Sequence, residues 1–242
     1  MRASAGVVKN RLVTAGIARH VLIPAGSLSF LGGMLIAAVP YYAGRAIDLR
    51  RAVLSSLASH EDNPHGYLAA DAGLAICAIL LIPVALWFFR ELRGVHRGLA
   101  AAGALLFGAG LMAAIAIGVT GPFEHGYSAL HIDLAYATFI FMTAGMLVLL
   151  SLAVWFELRA GRGRVLLVAE ILLAGMLVLL FYMLAGESSP GGNFFNDRSW
   201  FRSLALSEWA LCGVNVGYLL LLANAVAAVG EREGIVADFP RL

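Results

Sequence analysis

Charge is what this chain has least of. Asp, Glu, Lys and Arg make up 13% of its 242 residues and hydrophobic residues 61%, whereas soluble domains carry about a quarter charged. With a mean hydropathy of +0.85, this excludes an ordinary soluble fold and points to a polytopic membrane protein. Lysine is nearly missing: Lys9 stands alone beside 16 arginines. These basic residues lie in short loops next to apolar runs, so the net charge of +2 forms no concentrated stripe and excludes nucleic acid as a partner. There are only two cysteines, Cys77 and Cys212, both inside apolar runs. That excludes a disulfide framework and a closely spaced redox or zinc pair. No internal repeat, soluble domain or low-complexity linker is visible, and no Gly-x-Ser-x-Gly nucleophile elbow. Gly108 and Gly110 follow no strand, so they make no nucleotide loop.

What remains is long apolar runs. A crossing helix needs about 20 mostly apolar residues, and six stretches qualify, at about 21–43, 67–89, 98–120, 128–156, 164–185 and 203–229. Arg2, Lys9, Arg11 and Arg19 precede the first run as in a signal peptide. Val21 to Ala43 exceeds the roughly 7–15 residues of a signal core, so it reads as a retained span. The expected class is all-α: a six-helix transmembrane bundle, with residues 1–242 as one membrane domain. The N-terminus, the 90–97 and 157–164 connections and the C-terminus hold Lys9 and eleven arginines, and the alternate loops hold five. The positive-inside rule puts both termini in the cytoplasm, consistent with residence in a plasma or bacterial inner membrane.

The polar residues then collect on the outer side. Gly121 to Asp133 carries two acids, two histidines and a tyrosine into an apolar span, and ionisable groups inside a bilayer are functional candidates by default. Tyr127 and His131 are four apart and share a helical face, whereas Asp133 points roughly 200° away from His131. Asp71 and Glu208 lie near the outer ends of the second and sixth spans. The candidate catalytic set is therefore His131, Asp133, Glu208 and Asp71, with His131 as base or ligand. Glu124, His125, Tyr127, His60 and Trp209 form a candidate binding rim.

Three uses compete for these groups. His and carboxylate side chains suit zinc, but His60 with His65 and His125 with His131 lack the tight spacing of zinc motifs. General acid–base work on a lipid ester or amide is the second, with Ser55, Ser56 or Ser59 as nucleophile or oxyanion donor. The third is structural, since polar pairs between membrane helices contribute about 0.6 kcal/mol each. Glu170, apart from the cluster, is expected to snorkel or pair with Arg164.

Local signals complete the reading. Pro83 removes a backbone donor in mid-helix and predicts a kink. Gly110, Ala114 and Gly118 make a small-residue stripe for close helix packing. The 44–66 segment is expected to hold a short interfacial helix, and Phe194, Phe195 and Trp200 an interfacial anchor.

Three segments carry a family resemblance: Leu54-Ser-Ser-Leu-Ala-Ser-His-Glu-Asp-Asn-Pro64; Gly121-Pro-Phe-Glu-His with Leu130-His-Ile-Asp133; and Ser207-Glu-Trp209. Together they resemble the Frag/DRAM/Sfk-like six-span membrane proteins and their uncharacterised bacterial relatives. The resemblance implies a six-helix bundle, with the family's His matching His131 and its Glu-Trp pair matching Glu208 and Trp209. Eukaryotic relatives are linked to lipid remodelling of glycosylphosphatidylinositol anchors, but this chain lacks an N-x-Ser/Thr acceptor and the dense His-x-x-x-His pattern of metal-dependent lipid hydrolases. The functional expectation is binding or processing of a membrane lipid or other amphiphile in an outward-facing polar pocket, with hydrolysis as the chemistry. The alternative is a non-catalytic scaffold or accessory subunit among other membrane proteins. A transporter is disfavoured by the absence of an inverted repeat.

Overall fold

A computed structural model describes residues 13–44, 54–121, 129–161, 163–187 and 204–237. Of these, 91% are helical and none is in a strand. The helices are α1 (Ala15–Tyr42), the short α2 (Leu54–Leu57), α3 (Tyr67–Thr120), α4 (Ala129–Arg159), α5 (Arg164–Glu187) and α6 (Leu204–Ala237). Among the described residues, α1, α3, α4 and most of α6 are long and apolar enough to cross a membrane. The outward surface of the helices is oily: Val39 of α1, Leu105 of α3 and Val165 of α5 are each more than 70% exposed. Such a surface suits lipid, with every helical backbone bond satisfied internally.

The longest helix is folded in two. His96 has φ −159° and ψ 103° and breaks the helical backbone of α3, while its Nδ1 accepts from Leu99 N at 3.2 Å. An extended residue whose side chain bonds the N–H three positions on is the geometry of an N-cap, so His96 starts a new helix within one residue. The arms run antiparallel: Phe88 packs on Phe107 at 6.0 Å, and Gly118 lies against Asp71 O and Ala75. Pro83 stays within the helix, and it is at His96 that the helical backbone breaks. A second tight connection joins α4 to α5 through Gly161 (φ +74°) and Gly163 (φ +100°), positive values that glycine adopts without a Cβ penalty.

Glycines set the closest approaches. A Cβ on Gly33 of α1 would lie 2.9 Å from Gly73 Cα, and one on Gly110 would lie 2.7 Å from Met142 N of α4. The expected Gly110–Gly118 stripe therefore serves two neighbours: Gly110 meets α4 and Gly118 meets the first arm of α3. The main core lies deeper, around Trp87, Phe88, Phe107, Met146, Leu149 and Leu222, and a smaller cluster under α2 gathers Met34, Ala37, Leu57 and Ala70.

The end of the bundle away from α2 is tied by ions. Arg232 Nη1 meets Glu157 Oε1 at 2.5 Å, Arg90 meets Glu91 at 3.2 Å and donates to Val13 O, and Arg159 lies 4.0 Å above the Trp155 ring. For Glu170 the structure gives a partner on the neighbouring helix: its carboxylate accepts from Ser151 Oγ, tying α5 to α4. The Glu157 side chain is 7% exposed and that of Arg232 32%, so the two are not equivalent. Arg232→Ala leaves a buried carboxylate unpaired and should lower stability by about 3 kcal/mol. Glu157→Ala leaves an arginine that can reach solvent and should cost less. Thermal melts of both in detergent check this ordering, and equal losses would contradict it.

Candidate functional site

The cavity arises where helix faces carry little bulk. Ala58, Ala78, Ala114 and Ala135 turn methyl groups toward a common space between α1, both arms of α3, α4 and α6, and α2 closes one end. The resulting cavity is about 150 Å³, some ten times the ~10–15 Å³ that one water molecule needs. It is a shaft. Along α4 its wall runs from His131 to Met146, about 22 Å at the helical rise, and along α6 from Glu208 to Leu219, about 16 Å. Among the described residues its ionisable side chains apart from two thiols are His131 and Glu208, both at the α2 end; Phe30, Phe139 and Leu81 typify the apolar wall.

The mouth is a built cap. Leu54 N, at the start of α2, donates to Glu208 Oε2 at 2.8 Å, joining segments 154 residues apart. Asn63, 2% exposed, donates through Nδ2 to Ala37 O at 2.9 Å and Leu57 O at 3.0 Å. These bonds hold the 54–66 segment against the end of α1. Gly66 leaves room for the staple, since a Cβ there would lie 2.5 Å from Asn63 Nδ2.

The structure sorts the candidate residues. His131 is 7% exposed and shares the cavity with Glu208. Asp71 is 1% exposed, but it is not in the cavity wall; it lies under Gly121, where any Cβ would collide with its carboxylate. Asp133 is exposed on the other side of α4, as its angular offset from His131 requires. His60 is exposed, stacked edge-on to Tyr67 at 4.9 Å, and Trp209 packs half-buried on the cluster under α2. Glu124, His125 and Tyr127 lie outside the described residues, as do Phe194, Phe195 and Trp200. Ser59 Oγ accepts from Asp62 N at 3.2 Å and so shapes the cap turn. Among the described residues no three His, Cys, Asp or Glu side chains gather as a metal set.

Three polar wall residues, Ser27, Thr138 and Asn215, escaped the sequence reading. Asn215 and Thr138 line the shaft deeper in, each seven positions after an ionisable residue, Glu208 and His131. Seven residues are nearly two helical turns, so counting along those faces would have found them.

The family model described as "Protein of unknown function (DUF998)" matches residues 24–226, from within α1 to within α6. The chain belongs to the DUF998 family. All the residues that line the cavity, from Ser27 to Leu219, fall within the DUF998 match, so the shaft is part of the family's own region. Nothing in the match links DUF998 to the Frag/DRAM/Sfk-like proteins. No curated protein and no solved structure matches the chain.

Proposed function

We propose that this DUF998 protein crosses the cell membrane six times and holds a lipid or other amphiphile in the shaft, its head at Glu208 and His131 and its tail among the apolar residues. The two arms of α3 counted separately, together with α5, supply the six crossings. The arginine distribution then assigns the segments before α1 and after α6 to the cytoplasm and the shaft's mouth to the outer leaflet. One observation carries the reading: ionisable carboxyl and imidazole groups at one end of a mostly apolar shaft. Its length of about 16–22 Å matches the ~15 Å hydrocarbon depth of one leaflet. The likeness of the outer segments to the Frag/DRAM/Sfk-like proteins belongs to the same proposal.

Hydrolysis is the reaction such a mouth can support. His131 would take a proton from water as it attacks a headgroup ester or amide carbonyl, then return it to the leaving oxygen or nitrogen. Glu208 would orient the imidazole or the headgroup. Purified protein in mild detergent should carry bound amphiphile, detected by mass spectrometry of the intact complex. Glu208→Gln keeps an acceptor for Leu54 N, so it should fold normally while amphiphile retention falls about tenfold, the worth of a charge-assisted contact. Bare wild-type protein, or unchanged retention in the variant, would remove the support.

A second reading, a scaffold or accessory subunit, is favoured by the Glu208 carboxylate serving as a tie to Leu54 N. On that reading His131→Ala lowers the melting temperature and changes no lipid turnover.

A further inference from the structure

The shaft has a floor on every helix that walls it. Its deepest lining residues are Ser27 on α1, Leu81 and Leu111 on the two arms of α3, Met146 on α4 and Leu219 on α6. One helical turn beyond each, on the same face, stand Ile23, Val84, Phe107, Leu149 and Leu222, all fully buried. With Trp87 and Phe88 they belong to the main core, so the shaft is a blind hole. Its other end is covered by α2. Leu54 and Ala58 form part of the wall, and the bonds from Leu54 N to Glu208 and from Asn63 to Ala37 O hold that cap to α6 and α1.

Length and volume together count the chains that fit. A zigzag hydrocarbon advances ~1.25 Å per carbon, from bonds of about 1.52 Å, so a depth of about 16–22 Å takes about 13–17 carbons. A methylene group is close to a water molecule in size, and the 150 Å³ of the cavity, at ~10–15 Å³ for each water, takes about 10–15. The two counts meet at about 13–15 carbons when the tail lies in single file. A pair of tails of that length would need about twice the cavity. A second tail on the same head would also branch beside Glu208 and the buried His131, at the level where α2 lies over the opening.

We infer that the amphiphile held here has one tail of about 13–15 carbons, and that the shaft rejects two-chain lipids. This rests on the amphiphile reading above and adds the number and length of its tails. The class is the single-chain amphiphile, such as a lysolipid or a monoacylglycerol. A shorter tail leaves empty space above the floor, which forfeits packing, and a longer one meets the floor before its head reaches the mouth.

The test uses octanoyl, myristoyl and stearoyl monoglycerides and dimyristoyl glycerol, competing for purified full-length protein in nanodiscs of two-chain phosphatidylcholine. Mass spectrometry of the released complexes reads which molecule stays bound. Wild-type protein should retain the myristoyl monoglyceride over dimyristoyl glycerol and over the stearoyl probe by roughly tenfold, the scale of overfilling a packed site. The octanoyl probe should fall behind by more than about tenfold, because each missing carbon leaves ~30 Å³ empty at a cost of about threefold. Met146→Ala lowers the floor and should move the preferred tail longer by about two or three carbons. Should that variant fail to fold, Leu219→Ala lowers the floor from α6, and the wild-type comparisons decide by themselves if neither folds. Retention of dimyristoyl glycerol or of the host phospholipid as well as the myristoyl monoglyceride overturns the inference and leaves the amphiphile reading standing. Equal retention of all three tail lengths, or a preferred length unmoved in a folded floor variant, also overturns it. Wild-type protein bare of every probe and of host lipid removes the tail inference and the amphiphile reading together.

Discussion

Gly145→Ala should force α4 away from the second arm of α3 and lower stability by about 3 kcal/mol, the upper part of the range for overpacking a tight core. A Cβ at Gly145 would collide with Phe107 N and lie 2.8 Å from both Gly103 O and Phe107 Cα. All three are backbone atoms of a helix, so no rotamer change relieves the clash. Gly103 and Gly110 on the facing arm are as tightly placed, against Leu149 and Met142, and the interface cannot slide to a looser register. The same substitution elsewhere should do the opposite. Gly108 and Gly213 have nothing within 4 Å of a Cβ; alanine there adds helix propensity worth up to about 1 kcal/mol and should leave the melting temperature equal or higher. Melting of the three variants in one detergent decides the matter. A similar shift for Gly145→Ala and Gly108→Ala would mean that backbone contact does not hold these helices together.

Asn63→Ala should be the most damaging change outside the helices. Asn63 is 2% exposed and its one amide nitrogen serves Ala37 O and Leu57 O. Removing it takes a donor from two carbonyls and leaves a hole under the cap, together about 2–4 kcal/mol. The consequence extends to the shaft. Leu54 and Ala58 form part of its wall, and Leu54 N is the donor to Glu208, so a loosened cap unseats the carboxylate. The expected result is faster proteolysis between residues 54 and 66 and faster loss of bound amphiphile, with α3 to α6 still folded. Asn63→Asp is the sharper variant: it keeps the shape but sets a carboxylate oxygen against the two carbonyls that Nδ2 served as donor, and it should be at least as harmful. Retained protease resistance in both variants would show that the cap is held by apolar contact instead.

Much of this architecture is legible along the chain because hydropathy is a local property. The apolar runs at 128–156, 164–185 and 203–229 correspond to α4, α5 and α6 with boundaries that differ mainly where the helices extend past the apolar stretch. Helical angle is local too, so the separation of His131 from Asp133 could be read in advance. The Gly110–Gly118 stripe was legible as a packing surface but not as two. Eight residues leave those glycines about 80° apart on the helix, enough to face different neighbours, and only the neighbours' positions show it. His96 gave little warning as a cap, because histidine is an uncommon cap residue beside Ser, Thr, Asp and Asn.

The sequence by itself determined that this is a membrane protein of apolar helices with few ionisable groups, and which of those groups share a helix face, since composition and the 3.6-residue turn need no partner. Only the tertiary structure decided that His131 and Glu208 open on one shaft while Asp71 lies outside it, and that Leu54 N reaches Glu208. Each depends on which helices the glycine contacts bring together and where the interior alanines leave space. Those are properties of pairs distant in the chain, and no local periodicity encodes them.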